Sequence, residues 1–229
     1  MSIKSGILLI NKPAGPSSHD IVNEVRKITG IKKVGHAGTL DPFASGLLVV
    51  LVGREATKKQ KQFLNKDKEY LAKIHLGIKT DSYDKTGKET SVYDGILPTK
   101  EEVKLVLRDF KGELLQMPPA FSAKKVKGKK AYQLARQGKD VKLDPCKVEV
   151  KEIEFLKYAS PIIELRILCS AGTYIRSLAH DLGQKLTCGA FLEELVRTKS
   201  GNFVLRDSVE LETLNSANYS KYLISLEKI

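Results

Sequence analysis

Residues 147–169 read KVEVKEIEFLKYASPIIELRILC. Two runs rich in β-branched residues, Lys147 to Phe155 and Ile162 to Cys169, flank the Ser160-Pro161 turn and predict a long antiparallel hairpin. Outward from it, Tyr70 to His75 sets Tyr70, Ala72 and Ile74 against Leu71, Lys73 and His75, the period-2 alternation of a strand. Gly6 to Ile10 and Leu47 to Val52 have the length and composition of buried strands. Helices are scattered among them. Ser17 or Ser18 can cap a helix through Ile28, with Ile21, Val22, Val25 and Ile28 on one stripe and Gly30 at its end. Ala56 to Leu64 reads as a basic helix. Thr99 with Glu102 forms a capping box for a helix to Phe110, closed by Gly112. Lys130 to Gln137 reads as a short helix. Thr173 caps a helix through Leu186 with Ile175, Leu178, Ala179, Leu182 and Leu186 on its apolar stripe. Without regular βα alternation, this order predicts an α+β fold, a mixed and mostly antiparallel central sheet flanked by helices. No internal repeat or Pro/Gly/Ser-rich linker interrupts it. One domain over residues 1–229 is expected, with a peripheral insertion near 75–145.

The charge balance names a class of partner. Lys and Arg number 39 against 27 Asp and Glu, a net charge of +12, and so basic a domain usually meets a polyanion. Residues 122–142 hold eight basic side chains and one acidic one. Arg54 to Lys73 is a second basic stretch, with Lys58, Lys59, Lys61, Lys66 and Lys68. Together they predict a nucleic-acid contact surface. Cys146, Cys169 and Cys188 form no C-x-x-C pair, which argues against a zinc knuckle and for a reducing cytoplasm. The longest apolar run, Leu47 to Val52, is too short to cross a bilayer.

Several tempting motifs fail. Ser18-His19-Asp20 has triad letters, but consecutive helical residues point about 100° apart and cannot converge. Gly35-His36-Ala37-Gly38 lacks the spacing and the lysine of a phosphate loop. His19, His36, His75 and His180 lack metal-ligand spacing. No metal and no nucleotide cofactor is expected.

Two stretches stand out for chemistry. Residues 35–46 read GHAGTLDPFASG, where small residues let the backbone approach a partner closely. Their single carboxylate, Asp41, precedes Pro42 and is held extended by it. An Asp-Pro turn would read the same way. Residues 172–178 read GTYIRSL. They place Arg176 in the first turn of its helix, where a cation opposes the helix dipole by roughly 0.3–1 kcal/mol. A carboxylate partner would offset that cost, though an exposed arginine could tolerate it.

These stretches resemble the TruB family, the tRNA pseudouridine-55 synthases. GHAGTLDPFASGLLVV is similar to the family's aspartate motif. Ile10-Asn11-Lys12-Pro13 with Gly15, Ser17 and Ser18 resembles its N-terminal signature. Lys68-Glu69-Tyr70 with Gly77, Thr80, Asp81, Asp84 and Gly87 resembles its tyrosine segment. Pro118-Pro119-Ala120-Phe121-Ser122-Ala123-Lys124 is similar to its proline segment, and GTYIRSLAHDLG to its arginine motif. Leu195, Arg197, Thr198, Ser200, Gly201 and Phe203 match the closing block. The chain departs from the family where an acceptor-arm-binding, PUA-like module often follows the catalytic domain. It departs again at Lys142-Leu143-Asp144-Pro145-Cys146, where an arginine-rich segment is usual.

The resemblance implies a pseudouridine synthase catalytic fold that acts on the T-arm of tRNA by base flipping. Asp41 is implied as nucleophile, with Tyr70 and Arg176 as its catalytic companions and an Asp41–Arg176 ion pair. Whether Asp41 attacks C1′ or uracil C6, or a glycal route operates, stays open. Substrate contacts are implied for Lys12, His36, Tyr174, Leu195 and Lys124. A cytoplasmic monomer is expected, without separate C-terminal PUA domain, cofactor, membrane association or obligate protein partner. A non-catalytic tRNA-binding or RNA-folding module, and a synthase acting on other RNA, are the competing readings.

Overall fold

In chain order, the computed structural model describes residues 5–228 apart from 123, 127, 136, 138–140 and 142. Strand β1 (Gly6–Lys12) leads to helix α1 (Ser18–Thr29). The Ser17 hydroxyl accepts from the Asp20 N–H and the Asp20 carboxylate accepts from the Ser17 N–H, a reciprocal cap worth about 1 kcal/mol. Gly30 ends α1 at φ 68°. Then come β2 (Val34–His36) and β3 (Ser45–Val52). The basic helix expected over 56–64 is two short ones, α2 (Arg54–Lys58) and α3 (Gln60–Leu64), which meet at Lys59. Strand β4 (Lys68–Leu76) follows, then β5 (Ile78–Thr80) and β6 (Glu89–Val92). Helix α4 (Lys100–Leu107) has the expected Thr99–Glu102 capping box and tightens into a 3₁₀ turn through Phe110. Gly112 does not close that helix but opens β7 (Gly112–Gln116).

Next come β8 (Lys125–Val126), β9 (Lys129–Lys130) and α5 (Ala131–Ala135). Lys127, Arg136, Lys139 and Lys142 of the basic 122–142 stretch lie outside the described residues. The decisive hairpin is present as β10 (Cys146–Ala159) and β11 (Ile162–Cys169). Helix α6 (Ile175–Lys185) begins one residue later than Thr173 would cap it. Tyr174 is its cap residue, while the Thr173 hydroxyl donates back to the Ser170 carbonyl. Strands β12 (Ala190–Ser200), β13 (Phe203–Val204) and β14 (Val209–Glu210) complete the set.

The chain divides into two compact units, residues 1–70 with 195–229, and residues 71–194. In the first, β1 pairs antiparallel with β3 from Gly6↔Val52 to Lys12↔Gly46. β2 also runs antiparallel to β3. The end of β12 runs parallel to the start of β3, Val196↔Ser45 and Arg197↔Gly46, and β14 runs parallel to β1. Alternation along β1 and β3 sends Leu8, Ile10, Leu48 and Val50 toward Ile21, Val22 and Val25 of α1. It sends Ile7, Leu9, Leu47, Val49 and Leu51 toward Ala56 and Phe63. Each such side chain contributes roughly 1.5–3 kcal/mol on burial, so β3 anchors both faces.

In the second unit the strand order is β4–β11–β10–β7. β10 and β11 pair antiparallel with two register shifts. β7 pairs antiparallel with the first residues of β10, and β5 with β6. The predicted α6 stripe, Ile175, Leu178, Ala179, Leu182 and Leu186, is buried. The insertion expected near 75–145 falls within this unit.

Candidate active site

In the first unit the backbone around Asp41 is held at every residue. Gly38 and Thr39 offer their carbonyls to Arg197, at 3.0 and 3.5 Å. Leu40 is gripped twice by the Ser18 hydroxyl, which accepts from its N–H and donates to its carbonyl, both at 2.8 Å. The Asp41 carbonyl accepts from the Ala44 N–H. The Pro42 carbonyl accepts from the Gly15 N–H and from the Lys12 ammonium, the latter at 3.2 Å. A free loop would give up about 1–2 kcal/mol of conformational entropy per residue when it closed on a substrate. Here that ordering is done on folding. Gly46 is required by the clamp, since a Cβ there would lie 2.4 Å from the Arg197 carbonyl oxygen and its φ is +100°.

Two fully buried cations support the loop. The Lys12 ammonium donates to the Pro13, Pro16 and Pro42 carbonyls. Burial pushes its pKa down to about 8, with the Asp41 charge pulling it back up and Arg197 pushing it further down. Arg197 also donates to Leu47 at 2.7 Å. Its weight was missed by the sequence reading, which placed it in the closing motif and gave it no role. No local signal marks it, since Glu193, Glu194, Thr198 and Lys199 surround it in sequence and the acceptors a buried guanidinium needs come from far along the chain.

His36 ends β2 beside this loop. Its backbone carbonyl accepts from Gln60. Its Nδ1 is buried without a hydrogen-bond partner among the described residues. Burial first, then Arg197 and His19, lower its pKa, so a neutral imidazole is favoured. Tyr70 and Leu195 are both buried, on β4 and β12.

In the second unit Arg176 lies in the first turn of α6, as predicted. A carboxylate answers the dipole cost: Asp84 Oδ2 is 3.1 Å from the guanidinium, both side chains about one-twentieth exposed. Arg176 also donates to the Ser82 and Phe121 carbonyls. Asp84 Oδ1 accepts from the Ser82 hydroxyl and from the Thr86 N–H and hydroxyl. These contacts engage both terminal nitrogens of Arg176 and both oxygens of Asp84, which is what sustains a buried pair. Asp84 entered the sequence reading as a motif letter without a role.

Tyr174 is held by Gln116, whose amide accepts from its N–H and donates to its carbonyl. Burial raises the Tyr174 phenol pKa, partly offset by a hydrogen bond to Ser122. Lys124 donates to the Asp144 carbonyl and to Cys146 Sγ. Among the described residues, no group of three or more His, Cys, Asp or Glu side chains is placed to hold a metal ion.

This architecture recurs in solved structures. The chain matches one from a Cbf5-Nop10-Gar1 complex with a TM-score of 0.74 and 32% identity, covering 100% of this chain and 58% of that one. It matches one from an H/ACA RNP bound to a substrate RNA containing 2′-deoxyuridine with a TM-score of 0.69 and 31% identity, covering 93% and 53%. The chain thus spans little more than half the length of these relatives, and its fold is the α+β pseudouridine synthase catalytic fold.

Sequence comparison narrows the class. Residues 26–175 match the TruB family pseudouridylate synthase N-terminal domain, and 176–226 the tRNA pseudouridylate synthase B C-terminal domain. The tRNA pseudouridine synthase B of Protochlamydia amoebophila is 54% identical over 88% of this chain and 76% of its own length. That of Clostridium tetani is 44% identical over 98% and 77%. The chain belongs to the TruB family of pseudouridylate synthases.

Proposed function

We propose that this chain isomerises the uridine at position 55, in the T-loop of tRNA, to pseudouridine, with Asp41 as nucleophile. The observation that carries the reading is the clamped loop. Five consecutive residues, Gly38 to Pro42, have their backbone fixed by Ser18, Arg197, Lys12, Gly15 and Ala44. That is the preorganisation a carboxylate needs to meet a reacting carbon at near-attack distance.

The reaction breaks the C1′–N1 bond, turns the uracil and forms a C1′–C5 bond. The proton on C5 is lost and N1 gains one, so no redox equivalent is consumed. A carboxylate suits it because it can support or attack an electrophilic C1′. The stacked uridine must first leave the T-loop. Tyr70 would stack on the extruded base, worth about 1–3 kcal/mol. His36, favoured as a neutral imidazole by its burial, suits contact with a displaced base. Leu195 would pack against the base, and Tyr174 and Lys124 would contact the T-arm. Arg176 is assigned as the cationic partner of Asp41 on its motif alone, since Asp84 is the carboxylate that answers its place at the helix start. The enzyme would act in the cytoplasm as a monomer without obligate protein partner.

The test is tritium release from tRNA carrying 5-tritiated uracil. Wild type should release tritium and Asp41→Asn should release none above background, with tRNA affinity retained. Equal release by both removes Asp41 as nucleophile.

A further inference from the structure

In unit two, the turn that anchors Arg176 contains a strained residue that the catalytic reading does not use. Tyr83, between Ser82 and Asp84, sits at φ 64°, in the left-handed region that residues bearing a Cβ disfavour. Such a conformation persists only where the surroundings over-determine it. Backbone contacts account for part of this. The Tyr83 N–H donates to the Thr80 carbonyl at 3.3 Å, and the Tyr83 carbonyl accepts from the Leu192 N–H at 2.9 Å. The rest is a ring contact: the phenol of Tyr83 stacks on the His180 imidazole, with centroids 3.8 Å apart and planes 18° apart. His180 follows Arg176 by one turn of α6, so the two side chains are neighbours on one face of the helix. That face grips three consecutive residues. Arg176 holds the Ser82 carbonyl and the Asp84 carboxylate, both at 3.1 Å, and His180 holds the Tyr83 ring.

We propose that Tyr83 and His180 are positioning residues for Arg176, and that their stack holds the 82–84 turn in the conformation that fixes the guanidinium. What His180 contributes is its ring face rather than its nitrogens. Its Nδ1 is buried without a hydrogen-bond partner among the described residues, and its Nε2 lies 3.4 Å from the exposed Gln184 amide. A carbon ring can therefore stand in for it, because no hydrogen bond at Nδ1 is lost. Without the stack, Tyr83 relaxes toward the negative φ that L-residues prefer. The peptide units on either side turn with it, since φ and ψ are the soft dihedrals of the chain. The Ser82 carbonyl and the Asp84 carboxylate then leave the guanidinium, which keeps the Phe121 carbonyl but loses its fixed direction.

The inference rests on the catalytic role of Arg176 proposed above, and two readouts separate the two. Hydrogen exchange of the Arg176 guanidinium, followed by heteronuclear NMR, reports the anchor whether or not Arg176 acts in catalysis. Tritium release from tRNA reports the reaction. His180→Ala should speed guanidinium exchange by about tenfold. It should lower kcat by roughly 10- to 100-fold with KM for tRNA unchanged. His180→Phe keeps a stacked ring and should match wild type in both readouts. Adding Tyr83→Gly to His180→Ala should recover most of the lost rate, because glycine occupies the left-handed region without strain. A contact that served stability alone would give the opposite order, with the double variant slower still. Unchanged exchange in His180→Ala, or equal losses in His180→Phe and His180→Ala, overturns the stack's role, as does a double variant slower than His180→Ala. Faster exchange in His180→Ala with wild-type kcat leaves the stack standing and removes Arg176 from catalysis. Absent turnover in wild type, with exchange still dependent on the stack, overturns the activity and not the positioning.

Discussion

Replacing Arg197 by lysine should uncouple the loop from its support while keeping the charge. Arg197 is 1% exposed and its guanidinium reaches three carbonyls, those of Leu47 at 2.7 Å, Gly38 at 3.0 Å and Thr39 at 3.5 Å. The last is at the limit of a hydrogen bond, so two strong ones are at stake. Lysine carries a point charge on a flexible stem and cannot reproduce the fork. One of the two carbonyls is then left buried and unmet, at about 1–3 kcal/mol. For a chain of this size that is a Tm drop of roughly 2–12 °C. The Leu47 carbonyl is bound by Nε, nearest the stem, and is the one a lysine ammonium keeps. The released carbonyl is that of Gly38, three residues before Asp41, and a displacement of ~1 Å at a reacting group costs on the order of 10²-fold in rate. Thermal unfolding, and single-turnover tritium release below the variant's Tm, should show both losses. Arg197→Met, similar in volume but without donors, should do worse in both. If Arg197→Lys loses stability but keeps the wild-type single-turnover rate, the clamp does not position Asp41.

Three further outcomes follow from the same geometry. Asp84→Asn removes the buried carboxylate 3.1 Å from the Arg176 guanidinium and should destabilise the protein by about 3–5 kcal/mol in urea unfolding; an unchanged midpoint would remove Asp84 as the anchor. Lys12 has a folded pKa of about 8 against an ordinary 10.5, so between those values the unfolded chain binds more protons and stability rises with pH. The cost of burying its charge, about 3 kcal/mol at 1.36 kcal/mol per pKa unit, is present in full below pH 8 and is relieved as pH climbs to 10.5. The difference in unfolding free energy between wild type and Lys12→Met should therefore grow in favour of wild type across that window and stay flat below it. Ser18→Ala removes the hydroxyl that grips Leu40 on both sides; it should cost about 1–3 kcal/mol and lower kcat more than it raises KM for tRNA.

Much of the fold was legible along the chain because local rules and tertiary packing agree there. The Ser17–Asp20 and Thr99–Glu102 boxes, the α6 stripe and the β10–β11 hairpin each announce themselves within about a dozen residues of sequence, by capping chemistry or by periodicity. Asp41 and Arg176 were legible as a constrained carboxylate and as a cation at the wrong end of a helix. β12 was not. Its AFLEELVRTKS is rich in good helix formers, yet it is a strand, because it pairs with β3 through Val196↔Ser45 and Arg197↔Gly46. β7 was missed for a related reason: an edge strand defined by its pairing with β10 carries little pattern of its own.

By itself, then, the order of residues determined the α+β class, the capped helices, the long hairpin and the chemical identity of the loop around Asp41. Only the tertiary structure decided what holds that loop. Ser18, Lys12 and Arg197 stand 22, 30 and 158 residues or so from the carbonyls they bind. Contacts at that separation leave no local periodicity to read, and those of Arg197 exist because a helix-prone segment is drawn into a strand beside β3.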